Sequence, residues 1–182
     1  KLMWYLKFIL IFLMFSFEIY ADQTDKRLDQ LFQTLKISHD EMEMNTSILA
    51  IWNIWLETND VRIEKDFKNG LQLMQEGKLQ ASIIMFTKVI EKKPLFAEAW
   101  NKRATVYYLL GDFDSSVMDI KETLILEPRH FGALDGLGLI FIHLKEYEKA
   151  IDIYDKMLKI FPHNFSTLRK RDRLIKLFSP TI

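Results

Sequence analysis

Three prolines stand at one interval. Pro94, Pro128 and Pro162 are evenly spaced, and each closes a block of helical pattern. A fixed period of this size is the signature of a repeat architecture, whose units cannot bury their apolar faces alone and must stack. The middle block, Ala97 to His130, shows the unit. Trp100, Ala104 and Tyr107 fall at i, i+4 and i+7, on one face of a first helix. Gly111-Asp112 breaks the pattern and makes a turn. Phe113, Ser116, Ile120, Thr123 and Leu126 share a face of a second helix. Glu127-Pro128 ends it, because proline disfavours helical geometry in the residue before it.

The blocks on either side are in phase with this one. Phe131 to Asn164 carries Leu134, Leu137, Gly138 and Phe141, then Ala150, Tyr154, Met157 and Ile160. Ile63 to Phe96 carries Gly70 and Leu73, a turn at Gly77-Lys78, then Leu79, Ser82, Phe86 and Val89. Gly70, Ala104 and Gly138 fill one small slot, and Ser82, Ser116 and Ala150 a second. Leu73, Tyr107 and Phe141 fill the bulky slot of the first helix, and Phe86, Ile120 and Tyr154 that of the second.

This pattern resembles the tetratricopeptide repeat. The resemblance covers Ile63 to Asn164 and implies an all-α fold, a right-handed solenoid of helical hairpins with motifs at 63–96, 97–130 and 131–164. Two positions depart from the family pattern. Asp66 stands where a large apolar residue belongs, and Thr123 where alanine belongs. The small residues let the two helices of a block approach, and overfilling such a slot costs ~1–3 kcal/mol. The aromatic residues at helical spacing are read as packing, not as a cofactor box.

The flanks are helical but off the pattern. Over 22–60, Leu28, Leu31, Phe32 and Leu35 make one apolar face, and Met44, Ile48, Ile51, Trp52 and Trp55 another, with a turn at Ser38-His39-Asp40. This pair reads as a degenerate repeat capping the N-terminal end, with Trp52 and Trp55 either its core or an exposed docking ridge. Lys36 falls where a small residue belongs. Over 165–178 a last amphipathic helix follows the N-cap candidate Asn164, with Phe165, Leu168, Ile175 and Phe178 expected to face the last repeat. The layout, with AEAWNKRATVYYLLGDFDSS and PRHFGALDGLGLI, resembles small exported tetratricopeptide proteins of Gram-negative bacteria.

Residues 1–21 read as a secretory signal: Lys1 and Lys7, an apolar run from Phe8 to Phe17, and Ala21 at the expected cut. Ile19 sits where a small residue is preferred, so an uncleaved membrane anchor is the alternative. Either way the repeats are expected outside the cytoplasm, in a periplasmic or secreted setting. The absence of cysteine excludes disulfides and thiolate metal sites. A net charge of +0 gives no hint of nucleic-acid binding, which usually needs a basic stripe.

The family resemblance implies that the first helices line a concave groove. Mapped here, the groove receives Phe67, Leu71 and Met74 from the first block, then Asn101, Lys102, Thr105, Tyr108 and Leu109. The third block supplies Gly132, Asp135, Gly136, Leu139, Ile142 and His143. Arg169, Arg173 and Lys176 add a basic end, which suits an acidic segment or a terminal carboxylate. The carboxylate clamp of some cochaperones is not matched, since only Lys102 is polar among Phe67, Leu71, Lys102, Gly132 and Gly136. No phosphate loop, nucleophile elbow or metal-binding pair is present in the sequence, so no enzyme, metal, cofactor or small-molecule substrate is expected. Two functions remain. One is a module that docks a peptide or helix of a partner protein. The other is a self-associating or membrane-tethered envelope protein.

Overall fold

The computed structural model describes residues 25–178. The signal expected over 1–21 lies outside them. Among the described residues there are nine helices: α1 Lys26–Ile37, α2 Glu41–Leu56, α3 Val61–Gln75, α4 Leu79–Lys92, α5 Ala97–Leu109, α6 Phe113–Leu126, α7 Phe131–His143, α8 Tyr147–Ile160 and α9 Phe165–Phe178. Helices of this length are marginal alone in water and depend on tertiary packing.

Local chemistry sets their ends. Asp25, Asp40 and Asp60 each accept the backbone N–H of the first turn that follows, at Arg27, Met42 and Arg62. Asp112 caps α6 through Ser115, and Asn164 caps α9 through Thr167. The turns inside the three repeats need a left-handed residue. Gly77 and Gly111 supply it at φ 72° and 77°, and Lys145 occupies the third such position at φ 60°.

Each repeat is held by a small residue facing a bulky one. A Cβ on Gly70 would lie 2.7 Å from the Phe86 ring, and one on Gly138 2.7 Å from the Tyr154 ring. The second small slot adds a hydrogen bond. Ser82 Oγ donates to the Gly70 carbonyl and Ser116 Oγ to the Ala104 carbonyl, both at 2.8 Å. Arg103 ties repeats together: its guanidinium grips both carboxylate oxygens of Asp119 at 2.7 and 2.8 Å and donates to Thr87 Oγ1 at 2.9 Å. The two departures from the repeat pattern have partners. Asp66 accepts from Lys88 and Lys92, each at 3.0 Å. Thr123 returns its hydroxyl to the Asp119 carbonyl at 2.9 Å.

Two expectations about the flanks are corrected. α9 packs on α8 and Phe178 meets the last repeat as expected, stacked on Tyr147 at 3.6 Å, but the residues α9 buries are Thr167 and Leu174. Phe165 is 65% exposed and Ile175 39%, so the helix is rotated from the stripe read in the sequence. The N-terminal pair does not cap the first repeat. α1 packs on α8 and α2 on α5, and neither packs on α3. The reason is where apolar surface is offered. α3 presents Lys65, Lys68, Asn69 and Gln72 to solvent, whereas Phe131 and Phe161 at the turns between repeats join the hairpin's own core of Leu28, Phe32, Leu35, Met44, Ile51, Ile54 and Trp55.

Lys145→Gly replaces the left-handed side chain and should stabilise the chain by ~1 kcal/mol, read as a higher urea midpoint. Gly138→Ala should destabilise it by ~1–3 kcal/mol, because the Tyr154 ring must shift, read as a lower midpoint. The opposite shifts would show that neither position is constrained as described.

Candidate functional site

The hairpin meets the repeats through its two tryptophans, Trp52 and Trp55, whose i, i+3 spacing puts them on one side of α2. Trp55 is buried and lies flat on the His130 imidazole, with ring centroids 4.1 Å apart and planes 10° from parallel. Trp52 meets Phe131 edge-on at 5.1 Å. Its indole reaches so close to α7 that a Cβ on Gly132 would lie 2.8 Å from Cη2. Glycine at 132 is therefore the condition for seating Trp52.

Behind the tryptophans lies a buried polar network. His130 Nδ1 accepts the Ala133 N–H at 3.1 Å, capping α7. The ring proton is thereby assigned to Nε2, which donates to Glu98 Oε2 at 2.9 Å. Asn101 Nδ2 donates to the same oxygen at 3.0 Å, and the Lys102 ammonium lies 2.8 Å from Oε1. Lys102 also sits 5.3 Å from the Trp52 ring centre, a cation–π distance. Glu98 and His130 are both 0% exposed. Burial alone would push the Glu98 carboxyl up. The His130 hydrogen bond and the Lys102 ammonium more than reverse this and hold it below its ordinary value. At the rim, Arg129 pairs with Asp29 of α1 at 2.8 Å and covers the Phe32 ring.

Beside this junction a cleft of about 290 Å³ opens between α5 and α7. Asn101, Thr105, Tyr108 and Leu109 line one wall, and Gly132, Asp135, Gly136 and Leu139 the other, over a floor that includes Ala104, Ile120 and Ala133. The Asp135 carboxylate is matched by Lys170 of α9 at 2.6 Å. A Cβ on Gly136 would meet only Ile120 Cδ1, at 3.6 Å. Gly132 is common to both features, so the seat of Trp52 is also the end of the cleft.

Models of the tetratricopeptide repeat match residues 67–120 and 131–164. A repeat-containing protein of Rhizobium etli is 33% identical over 136 residues, which is 71% of this chain and 67% of that protein. The chain belongs to the tetratricopeptide repeat family. It is also similar to the Hsp70-Hsp90 organizing protein 1 of Glycine max, 28% identical over 53% of this chain, but spans only 17% of that protein's length. Among solved structures, the first such domain of Spaghetti (RPAP3), bound to the HSP90 peptide SRMEEVD, superposes with a TM-score of 0.59 at 21% identity. The match covers 63% of this chain and 90% of that one.

Within this repeat fold, eight residues expected in the groove line the cleft: Asn101, Thr105, Tyr108, Leu109, Gly132, Asp135, Gly136 and Leu139. The others are placed elsewhere. Phe67 is 3% exposed, between the rings of Phe86 and Phe96, and is core. Leu71 and Met74 pack against that same cluster. Lys102 is committed to Glu98. Ile142 packs on the core of the second and third repeats, and His143 lies against the Phe113 ring at 4.4 Å. Arg169 and Arg173 are exposed on α9, and the basic residue that reaches the cleft is Lys170. Sequence reasoning passed over Lys170, although it stands one full period after Gly136 and so continues that slot. The role of His130 is not legible in the sequence, because its buried partner Glu98 is distant in sequence and leaves no local pattern.

Because the Glu98 carboxyl is depressed in the fold, its stabilisation is present above its ordinary value of 4.5 and is lost as pH falls through the lower folded value. Urea midpoints of the wild type should drop across that window, and Glu98→Gln should flatten the drop. An unchanged slope would show that the carboxylate is not tied to the fold. Trp55→Ala should destabilise by ~3–5 kcal/mol, far more than a surface change, in the same assay.

Proposed function

We propose that this chain is a non-enzymatic interaction module that holds a peptide segment of a partner protein in the cleft between α5 and α7, outside the cytoplasm. The observation that carries the reading is the cleft itself. It is open and largely apolar, lies between neighbouring first helices, and has Tyr108, Leu109 and Leu139 on its walls. Apolar side chains left outside a core with a few convergent polar groups mark binding sites. The peptide carried by the related RPAP3 domain supports the same use of this fold. The location rests on the pattern of 1–21 and on the likeness to small exported repeat proteins, with the partner then a protein of the bacterial envelope.

A second reading, self-association, is favoured by one feature. Ile84 and Met118 fill one slot of successive second helices and are 62% and 67% exposed. A concentration-dependent mass in light scattering, abolished by Ile84→Glu with Met118→Glu, would support it.

The groove is tested by Tyr108→Glu with Leu139→Glu. Both residues border the cleft, and helicity by circular dichroism should be kept. Capture of a partner from envelope extract should be lost relative to wild type. Equal capture by both proteins would move the binding surface away from the cleft.

A further inference from the structure

Resting on that peptide-binding reading, we infer that the segment held is extended and polarised: one large apolar side chain seats between α5 and α7, stopped by Trp52, and acidic residues beside it lie over α9. The size of the cleft sets the first half. About 290 Å³ lies at the lower edge of ligand cavities, which run from ~300 Å³ upward. A helix, ~10–12 Å across with its side chains, does not enter such a space, whereas a single aromatic or long aliphatic side chain fills it. Gly136 leaves the wall open to a close backbone. At the other end Trp52, seated on Gly132, prevents a chain from running through along the α5–α7 furrow.

Charge sets the second half. The repeat period places Arg173 in the slot of Thr105 and Leu139, and Arg169 in the slot of Asn101 and Asp135. Those four slot-mates line the cleft. Lys176 follows in the slot of Tyr108. The rows that form the cleft in the second and third repeats therefore end in three cations on one face of α9, all exposed. None has an ion pair or side-chain hydrogen bond among the described residues, whereas Lys170 and Arg171 are taken by Asp135, Asp155 and Asp172. The acidic groups beside the cleft are already neutralised, Asp135 by Lys170 and Glu98 by Lys102. What a ligand meets beyond the apolar cleft is thus positive and unmatched, and an acidic stretch is its complement.

The test uses the ¹⁵N-labelled chain and blocked hexapeptides with one phenylalanine and three glutamates, in both orders. Matching peptides carry lysine for glutamate or alanine for phenylalanine. The phenylalanine–glutamate peptide should shift the amides of Thr105, Gly136 and Arg173 and bind on the order of tenfold more weakly at high salt, where exposed charges are screened. Arg169→Glu with Arg173→Glu should abolish the preference for glutamate over lysine while the Gly136 shift remains. Equal binding of the glutamate and lysine peptides at the cleft would overturn the acidic assignment and leave peptide binding standing. Equal binding of the alanine peptide would overturn the apolar anchor. No shift at Thr105 or Gly136 with any peptide would overturn both the inference and the cleft as a peptide site.

Discussion

A carboxylate with no access to water must find its partners inside the protein, and Glu98 finds three: His130, Asn101 and Lys102. An unpaired charge at that depth would cost several kcal/mol. The way the network is satisfied arranges everything around it. His130 is fixed by its two hydrogen bonds, so its face is presented for Trp55. Trp55 brings α2 against α5 and α7, and Trp52 then falls on Gly132. The hairpin, the end of the cleft and the position of Lys102 beside Trp52 follow from a single buried group.

The repeats themselves obey a simpler rule. Two helices approach closely where one of them carries a small residue, and the facing bulky side chain fills the space. Gly70 with Phe86 and Gly138 with Tyr154 are both instances. This is why the fold could be read from the sequence. The rule forces residue size at fixed positions, and the constant period makes the positions visible three times over. Asp66 shows the rule bending. With lysines on either side of its carboxylate, it takes a slot meant for an apolar residue. Its neighbour Phe67 is core and not groove, because the Phe86 and Phe96 rings enclose it.

The flanks were legible as helices and not as neighbours. Periodicity shows which face of a helix is apolar but not which surface covers it. The faces of α1 and α2 were correctly read, yet their partner is the edge of the second and third repeats, far along the chain from the hairpin. Asp29 and Arg129, which pair across that edge, are separated by 100 positions in sequence. The tryptophans are thus both core and docking surface, with the docking made to their own chain. α9 was likewise recognised, but the phase set by the Asn164 cap turned Thr167 and Leu174 inward. The wall residues of the cleft in the second and third repeats, Thr105, Tyr108 and Leu139, were legible because they lie between packing slots that the period fixes.

The docking of the hairpin is most directly tested by nuclear Overhauser contacts from the Trp52 indole in the labelled chain. Cross-peaks from its Hη2 proton to the α protons of Gly132, together with contacts between the Trp55 and His130 rings, are expected. Cross-peaks from either indole to Ile63 or Phe67 of α3, with none to Gly132, would place the pair on the first repeat as an end cap and remove the wall that bounds the cleft.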